Sequence, residues 1–526
     1  MAADYSNNHH PLIKDFQIPA IIVGDRDISY SEMLQYISLF GQYTPQIKGS
    51  KSVILSENRE GWIYAFFSVW LNHGIAIPID FTSLPQDIAY VIKDCHPDCI
   101  WTSKQKAENA RAALEIAGIN LPILIIDDYE KIEIPANTRP AEIEYDANDT
   151  AVITYTSGTT GSPKGVMLSY NNLLADMDCT ARTLPINTSQ MRSIIMLPLH
   201  HSLPLLGSFL MPMIWGAGVS ICPTLLGPDI MATLKRGNIG IMVGVPALWT
   251  ALIRIIKKKV YAKFSGRILF LICKLIQSRW LSRKVFKQIH ETMGEHLFLI
   301  SGGAALDKQV AIDCKTLGLD MLEGYGMSET SPIMSLTRVD DIHPGSVGKP
   351  LPDNRIIIKN GEVCIKGPIL MQGYYNRPEE TKEMYDDDGW LHTGDMGRFN
   401  RKGRLFITGR IKDIIVLSNG KNVNPAEIEE KLAKRSDLVD EIAIIQEGDI
   451  LRAIIVPNTK WAKNRSLEEL KMTLRQELIK SYNKSSLPYK KILAFSVYQG
   501  KLPRNNLGKL QRFKIATLIP NEDHDW

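Results

Sequence analysis

Several short stretches of this chain hold residue types that, at their spacing, suit work on phosphate and carboxylate groups. Residues 155–165, YTSGTTGSPKG, crowd small and hydroxylated side chains ahead of a lysine. Backbone N–H groups and hydroxyls of Thr156, Ser157, Gly158, Thr159, Thr160 and Gly161 can converge there on a phosphate, and Lys164 adds a positive charge. It is not a Walker A loop, because Lys164 lies six residues after Gly158 and is followed by Gly165. A strand over 151–156 precedes the loop and a helix begins near Ser169, which argues against a flexible linker. In EGYGMSET, 323–330, Tyr325 beside glycine can stack on a flat base, Ser328 can contact a phosphate and Glu329 can hold Mg²⁺. Asp395, in WLHTGD at 390–395, can accept two hydrogen bonds from a vicinal diol. Lys509 follows a glycine near the C-terminus, where a preorganised cation can stabilise charge building on a phosphorus under attack.

These stretches, with PLHH at 198–201, SGGA at 301–304, GRIKD at 409–413 and PRNNLGK at 503–509, occur in one order along the chain. That order, from Tyr155 to Lys509, resembles the adenylate-forming superfamily of acyl-CoA synthetases, luciferases and peptide-synthetase adenylation domains. The resemblance is greatest to bacterial long-chain fatty-acyl-CoA synthetases. It implies ATP, Mg²⁺ and coenzyme A as cofactor and co-substrates, and activation of a carboxylic acid as its acyl-AMP before transfer to a thiol.

By the same resemblance the nucleotide contacts fall on 156–161, Lys164, Gly302, Gly303, Ala304, Glu323, Gly324, Tyr325, Gly326 and Ser328, the last where the family usually has threonine. Thr156 and Glu329 are the implied metal ligands. Asp395, assisted by Arg410, takes the ribose hydroxyls, and His201 borders the acyl carboxylate, although a packed core histidine is the plainer alternative. Lys509 is the implied catalytic lysine, Gly420 lies in the loop lining the pantetheine path, and Lys412 is the hinge.

Those residues need a scaffold, and 526 residues exceed what one hydrophobic core usually serves. Short apolar strands alternate with helical stretches through residues 1–150, the rhythm of an α/β fold. A small β region follows residue 345, where glycine, proline and β-branched residues gather. After 410 the texture changes to a compact α+β unit, with Pro425 and Glu427 marking a helix start behind Asn424. The expected organisation is an N-terminal domain over 1–410, of layered sheets with helices, and a mobile C-terminal domain over 411–526. Seven scattered cysteines without a CxxC pair read as buried free thiols. No signal peptide and no run of 18 apolar residues is evident, so a cytoplasmic enzyme is expected.

The net charge of +4 hides a local excess. Eleven Lys or Arg and no acid lie between Arg254 and Lys287; without them the balance is 50 basic against 57 acidic residues. Ile268, Leu269, Phe270, Leu271, Ile272 and Leu275 sit among those cations. The segment 254–291 reads either as a basic amphipathic element touching the inner face of a membrane or as a solvated helix pair over the core. The partners expected are a fatty acid, ATP and CoA, with acyl-carrier protein as an alternative acceptor and no nucleic acid. Aryl or short-chain acids are the alternative substrates, and a catalytically silent lipid-binding protein is the alternative class.

Overall fold

The computed structural model describes residues 12–135, 137–156, 162–184, 192–294, 297–418, 421–433, 438–448, 450–504 and 510–515. The chain divides into two compact units. The first takes up to Ile356, then 365–391 and 403–405; the second takes 357–364, 392–402 and 406–526.

Two sheets organise the first unit. A seven-stranded sheet has Ile75–Pro78, Lys51–Leu55, Cys99–Thr102 and Ile123–Ile125 in parallel on one side of Thr150–Thr156. On the other side Lys164–Ser169 and Gly373–Tyr374 run antiparallel. A nine-stranded sheet centres on six adjacent parallel strands, Asp320–Tyr325, Phe298–Ser301, Ile239–Gly244, Arg192–Ile195, Val219–Ile221 and Pro19–Val23. The first strand of the chain, Pro19–Val23, pairs with Val219–Ile221 and so belongs to this second sheet rather than to its sequence neighbours.

Side-chain alternation along each strand puts a core on both faces of both sheets. Ile54 and Val152 face the central core together with Ile241, Val243 and Ile300. Val53, Leu55 and Ile153 face an outer layer holding the helices Pro85–Cys95 and Ala107–Ala117. Met242, Leu299 and Met321 face the other outer layer, with Trp249, Phe270 and Cys314. The helix Glu60–Leu71 lies in the central core and is buried nearly all round, which explains its lack of an apolar stripe. Its Trp62, Phe66 and Phe67 pack against Phe209, each buried ring contributing about 2–3 kcal/mol over exposure.

The second unit carries a three-stranded sheet, Val439–Glu447, Ile450–Pro457 and Ile492–Val497, covered by Pro425–Ala433 and the helical run 467–484. The cap expected at Asn424 forms: its Oδ1 accepts from the Ala426 N–H at 3.0 Å, ahead of Pro425–Ala433. Ser466 caps its helix through a reciprocal pair with Glu469. The small β region is a four-stranded sheet in the order Arg355–Lys359, Glu362–Lys366, Leu391–Phe399, Leu405–Arg410. All seven cysteines are free and buried.

Candidate active site

The strands on either side of the glycine- and hydroxyl-rich stretch pair antiparallel. Thr156 pairs with Lys164, so the chain returns as the strand Lys164–Ser169 before the helix Tyr170–Thr183 begins behind its Ser169 cap. The helix start near Ser169 agrees with the sequence. The strand between the loop and that helix was not expected. Ser157, Gly158, Thr159, Thr160 and Gly161 lie outside the described residues, as do Gly420 and Lys509.

Lys164 is ion-paired with Glu380 and sits 5.0 Å from the ring centre of Tyr374. That pairing holds the Glu380 carboxyl below its usual range. Tyr374 in turn donates its hydroxyl to Oε1 of Glu329 at 2.7 Å. Burial, reinforced by the Glu329 charge, pushes the Tyr374 phenol far above its usual value, so it remains a donor. Glu329 is itself buried, in the 3₁₀ turn Ser328–Thr330. Its second oxygen and the Thr156 hydroxyl have no hydrogen-bond partner among the described residues. A buried carboxylate held at one oxygen, with an oxygen to spare, fits a divalent cation. Tyr374 and Glu380 were not singled out from sequence; only the pairing of Gly373–Tyr374 with Val166 and Met167 brings them here.

Tyr325 ends the strand Asp320–Tyr325, and its carbonyl accepts from the Met334 N–H at 2.9 Å. Gly326 is required by packing: a Cβ there would lie 1.8 Å from the Pro332 carbonyl oxygen. Ser328 shares a 3.0 Å hydroxyl contact with Ser202, one residue past His201. Glu323 pairs in register with Ser301, and burial pushes its carboxyl up to about 7. Gly302 and Gly303 follow the strand Phe298–Ser301 and lead to Ala304, and the Gly302 N–H donates to Gly244 at 3.2 Å.

His200 and His201 place their Nε2 atoms 3.1 Å apart, with Asp80 3.6 Å from His200. Burial, followed by the neighbouring His201, drives His200 down to about 3. Burial also lowers His201. Both rings are therefore neutral near pH 7, and His201 can hydrogen-bond a carboxylate without neutralising it.

Behind these motifs lies a narrow slot lined by Leu203, Gly207, Met211, Trp215, Val243 and Ile300, among others; none of its described lining residues is charged. It joins the motifs directly. A Cβ on Gly302 would sit 2.7 Å from Leu203, and one on Gly324 would sit 3.5 Å from Leu336, another lining residue.

In the second unit, Arg410 Nε lies 3.1 Å from Oδ1 of the buried Asp395, on Leu391–Phe399. The Asp395 N–H donates to the Thr393 hydroxyl at 3.1 Å. Glu362 accepts from the Gly394 N–H at 2.8 Å and from His392 Nδ1 at 2.7 Å, bracing the turn that presents Asp395. Lys412 is the middle residue of a single 3₁₀ turn, Ile411–Asp413.

An α/β unit of two sheets and a small α+β unit, together with these motifs, define an adenylate-forming enzyme fold. A profile of the AMP-binding enzyme family matches residues 14–375, and one of the AMP-binding enzyme C-terminal domain matches 412–518. The chain belongs to the AMP-binding enzyme family. It is 30% identical over 481 residues, 76% of its length, to probable acyl-activating enzyme 16, chloroplastic, of Arabidopsis thaliana. It is 30% identical over 452 residues, 70% of its length, to a chloroplastic long-chain-fatty-acid–[acyl-carrier-protein] ligase of that plant. It spans 65% and 61% of the lengths of those two relatives. A malonate–CoA ligase, also of Arabidopsis thaliana, is 26% identical over 508 residues, covering 91% of this chain and 79% of the relative. Among solved structures, ATP-bound MatB from Rhodopseudomonas palustris matches with a TM-score of 0.78 at 23% identity, covering 98% of this chain and 97% of that one.

Proposed function

We propose that this protein is an ATP- and Mg²⁺-dependent ligase that activates a medium- or long-chain fatty acid as acyl-AMP and transfers the acyl group to coenzyme A. In the first step a carboxylate oxygen attacks the α-phosphorus of ATP and the bond to pyrophosphate breaks. In the second, the thiol sulfur attacks the acyl carbonyl, AMP departs with the electrons of the C–O bond, and the thiol proton passes to solvent.

The observation that carries the choice of acid is the uncharged, largely apolar slot whose wall residue Leu203 lies against Gly302. An alkyl chain gains about 0.8 kcal/mol per CH₂ buried against walls of this kind, and the side chains lining this narrow slot would have to part to admit one. A dicarboxylate such as malonate would bring a second charge to a wall offering no cation among its described residues, a cost of several kcal/mol. Neutral His201 would orient the reacting carboxylate while leaving it nucleophilic. Lys164 and Lys509 supply positive charge to the phosphates, Asp395 with Arg410 takes the ribose, and Tyr325 stacks on the base. Mg²⁺, held by Glu329 and Thr156, offsets phosphate charge. Residues 345–367 form short strands with no inserted subdomain, which favours coenzyme A; acyl-carrier protein is the alternative acceptor, favoured by the plant carrier-protein ligase. Contact of 254–291 with the inner face of a membrane belongs to the same reading, since fatty acids partition into bilayers.

Acid-dependent ATP–pyrophosphate exchange tests it, across saturated acids of rising length, malonate and benzoate. Exchange led by alkyl acids is expected; exchange led by malonate or benzoate overturns the reading. Offering the acyl-AMP to CoA and to holo-carrier protein then decides the acceptor.

A further inference from the structure

Residues 246–293 fold as four helices, Pro246–Tyr261, Phe264–Ile276, Arg279–Val285 and Lys287–Met293. The second is unlike an ordinary surface helix. Nine of its thirteen residues, FSGRILFLICKLI, are apolar, yet only Phe270 and Cys273 are buried. At about 3.6 residues per turn, Phe264, Ile268, Leu271 and Leu275 fall on one line along the side opposite those two. Leu275 is 83% exposed, Phe264 77% and Leu271 57%; Trp280, just past the helix end, is 70% exposed. An amphipathic helix that covers a core would present this line inward, so here the apolar stripe is turned to the outside.

The cations of the segment are sorted in the same way. Lys257 is held by the buried Asp313 at 2.6 Å, and Arg279 and Arg283 by the buried Asp320. Arg254, Lys258, Lys259, Lys263, Lys274 and Lys284 have no carboxylate within ion-pair distance among the described residues. Lys284 instead lies 5.1 Å from the Trp280 ring centre.

We propose that the helix Phe264–Ile276 is an insertion edge that seats the protein in the interfacial layer of an anionic bilayer. It buries Phe264, Ile268, Leu271 and Leu275 among acyl chains, while the unpaired cations flanking it meet lipid phosphates. Charge complementarity selects this occupant. A second copy docked on the same face would bring two sets of unpaired cations together. A nucleic acid would need the cations forward, where leucines stand. The helix lies in the interface and does not cross: thirteen residues span about 20 Å, against the roughly 30 Å of a hydrocarbon core. No helix among the described residues is long and apolar enough to cross. The inference stands on this face alone and does not depend on the acid used.

Flotation of the full chain with vesicles tests it, using phosphatidylcholine alone and equimolar phosphatidylcholine and phosphatidylglycerol, at low and high salt. The wild type is expected to float with the anionic vesicles, and added salt to weaken this without abolishing it. The Leu271→Asp/Leu275→Asp double variant, changed only at exposed sites, should lose about tenfold or more of its partitioning and keep the wild-type melting temperature and pyrophosphate exchange. Lys258→Gln/Lys259→Gln/Lys274→Gln should lose the preference for anionic over neutral vesicles. Failure of the wild type to float with anionic vesicles at low salt overturns the proposal, as does flotation of the double aspartate variant at the wild-type level. A dimer in solution that the double variant disperses, without vesicle binding, assigns the face to a second copy instead. Pyrophosphate exchange in solution is scored separately, so failure of the ligase reading is not mistaken for failure of the docking edge.

Discussion

Glu329 is held at one oxygen by a phenol that cannot ionise in its surroundings. Such a donor fixes the carboxylate's orientation without competing for its charge, as outer partners of metal ligands do. Tyr374→Phe keeps the ring under Lys164 and removes only that donor. The half-saturating Mg²⁺ for pyrophosphate exchange should rise about tenfold or more, with little change in melting temperature; an unchanged Mg²⁺ titration would refute the role. His200 gives a second prediction. Its folded value near 3 lies below the unfolded 6.5, so the unfolded chain binds the extra proton between those limits. Stability contributed by keeping His200 neutral is therefore full above pH 6.5 and lost as the pH falls toward 3. In His200→Gln that term is absent, so thermal unfolding from pH 7 to 5 should destabilise the wild type more steeply than the variant. Parallel curves would count against it. At this scale the sequence showed residues whose neighbours share their chemistry, such as 155–165 and 323–330. It could not show Tyr374, Glu380 or Asp80, whose neighbours carry no signal and which reach the site through sheet pairing and loop packing.

The run 202–214 is one helix whose middle, Leu205–Leu210, is a π-turn. Such turns mark sites where a helix is adjusted to a ligand. Gly207 lies in that turn on the slot wall, and a Cβ there would meet only Val243, at 3.4 Å. A small side chain is thus admissible and a long one must occupy the slot. Gly207→Met should leave short acids nearly unaffected and lower kcat/KM for long ones by roughly 10–200-fold. An unchanged chain-length profile would mean that the acid lies elsewhere. Elements with strong period or caps were legible: the strand ending at Thr156, the Ser169 and Ser466 helix starts, and the helix behind Asn424. The strand Lys164–Ser169 was not. KGVMLS is six residues of mixed character between a loop and a capped helix, and only its partner Thr150–Thr156 makes it a strand. The outward face of Phe264–Ile276 was equally hidden, since composition reveals apolar residues but not which way a helix is rolled.

At the scale of the whole chain, the ligase reaction we propose has two half-reactions with opposed demands. A lysine must reach the α-phosphate in one step, and a thiol must reach the carbonyl in the next. Rotation of the C-terminal part about one backbone position meets both. Lys412, inside the short turn Ile411–Asp413, is the position we propose. Proline there fixes φ near −65° and removes a donor. Lys412→Pro should keep much of the acid-dependent pyrophosphate exchange and slow transfer to CoA about tenfold or more, as expected when a gating motion is restrained. Measuring both half-reactions on the folded variant decides it; equal losses in both would remove the hinge. Texture and motif change together near residue 410, and a boundary is expected there; the second compact unit also takes in 357–364 and 392–402, which no change of texture announces. The assignment of strands to two sheets was not legible, because it depends on pairings such as that of Pro19–Val23 with Val219–Ile221, nearly 200 residues apart.

One wall of the first unit has a consequence for how such a protein can change. Past the irregularity between Ile239 and Ile241, the strand Ile239–Gly244 sends Ile241 and Val243 to the slot and Met242 to the layer beneath the exposed helix. Its neighbour does the same, with Ile300 on one side and Leu299 on the other. Alternate letters of one stretch of sequence therefore answer to separate selective pressures. If the slot takes the acid and the outer helix the bilayer, as we propose, the odd positions of the first strand are free to vary with the acid while the even one is tied to the membrane face. On that reading, single substitutions on one face of the strand would exchange one acid for another and leave the other face untouched.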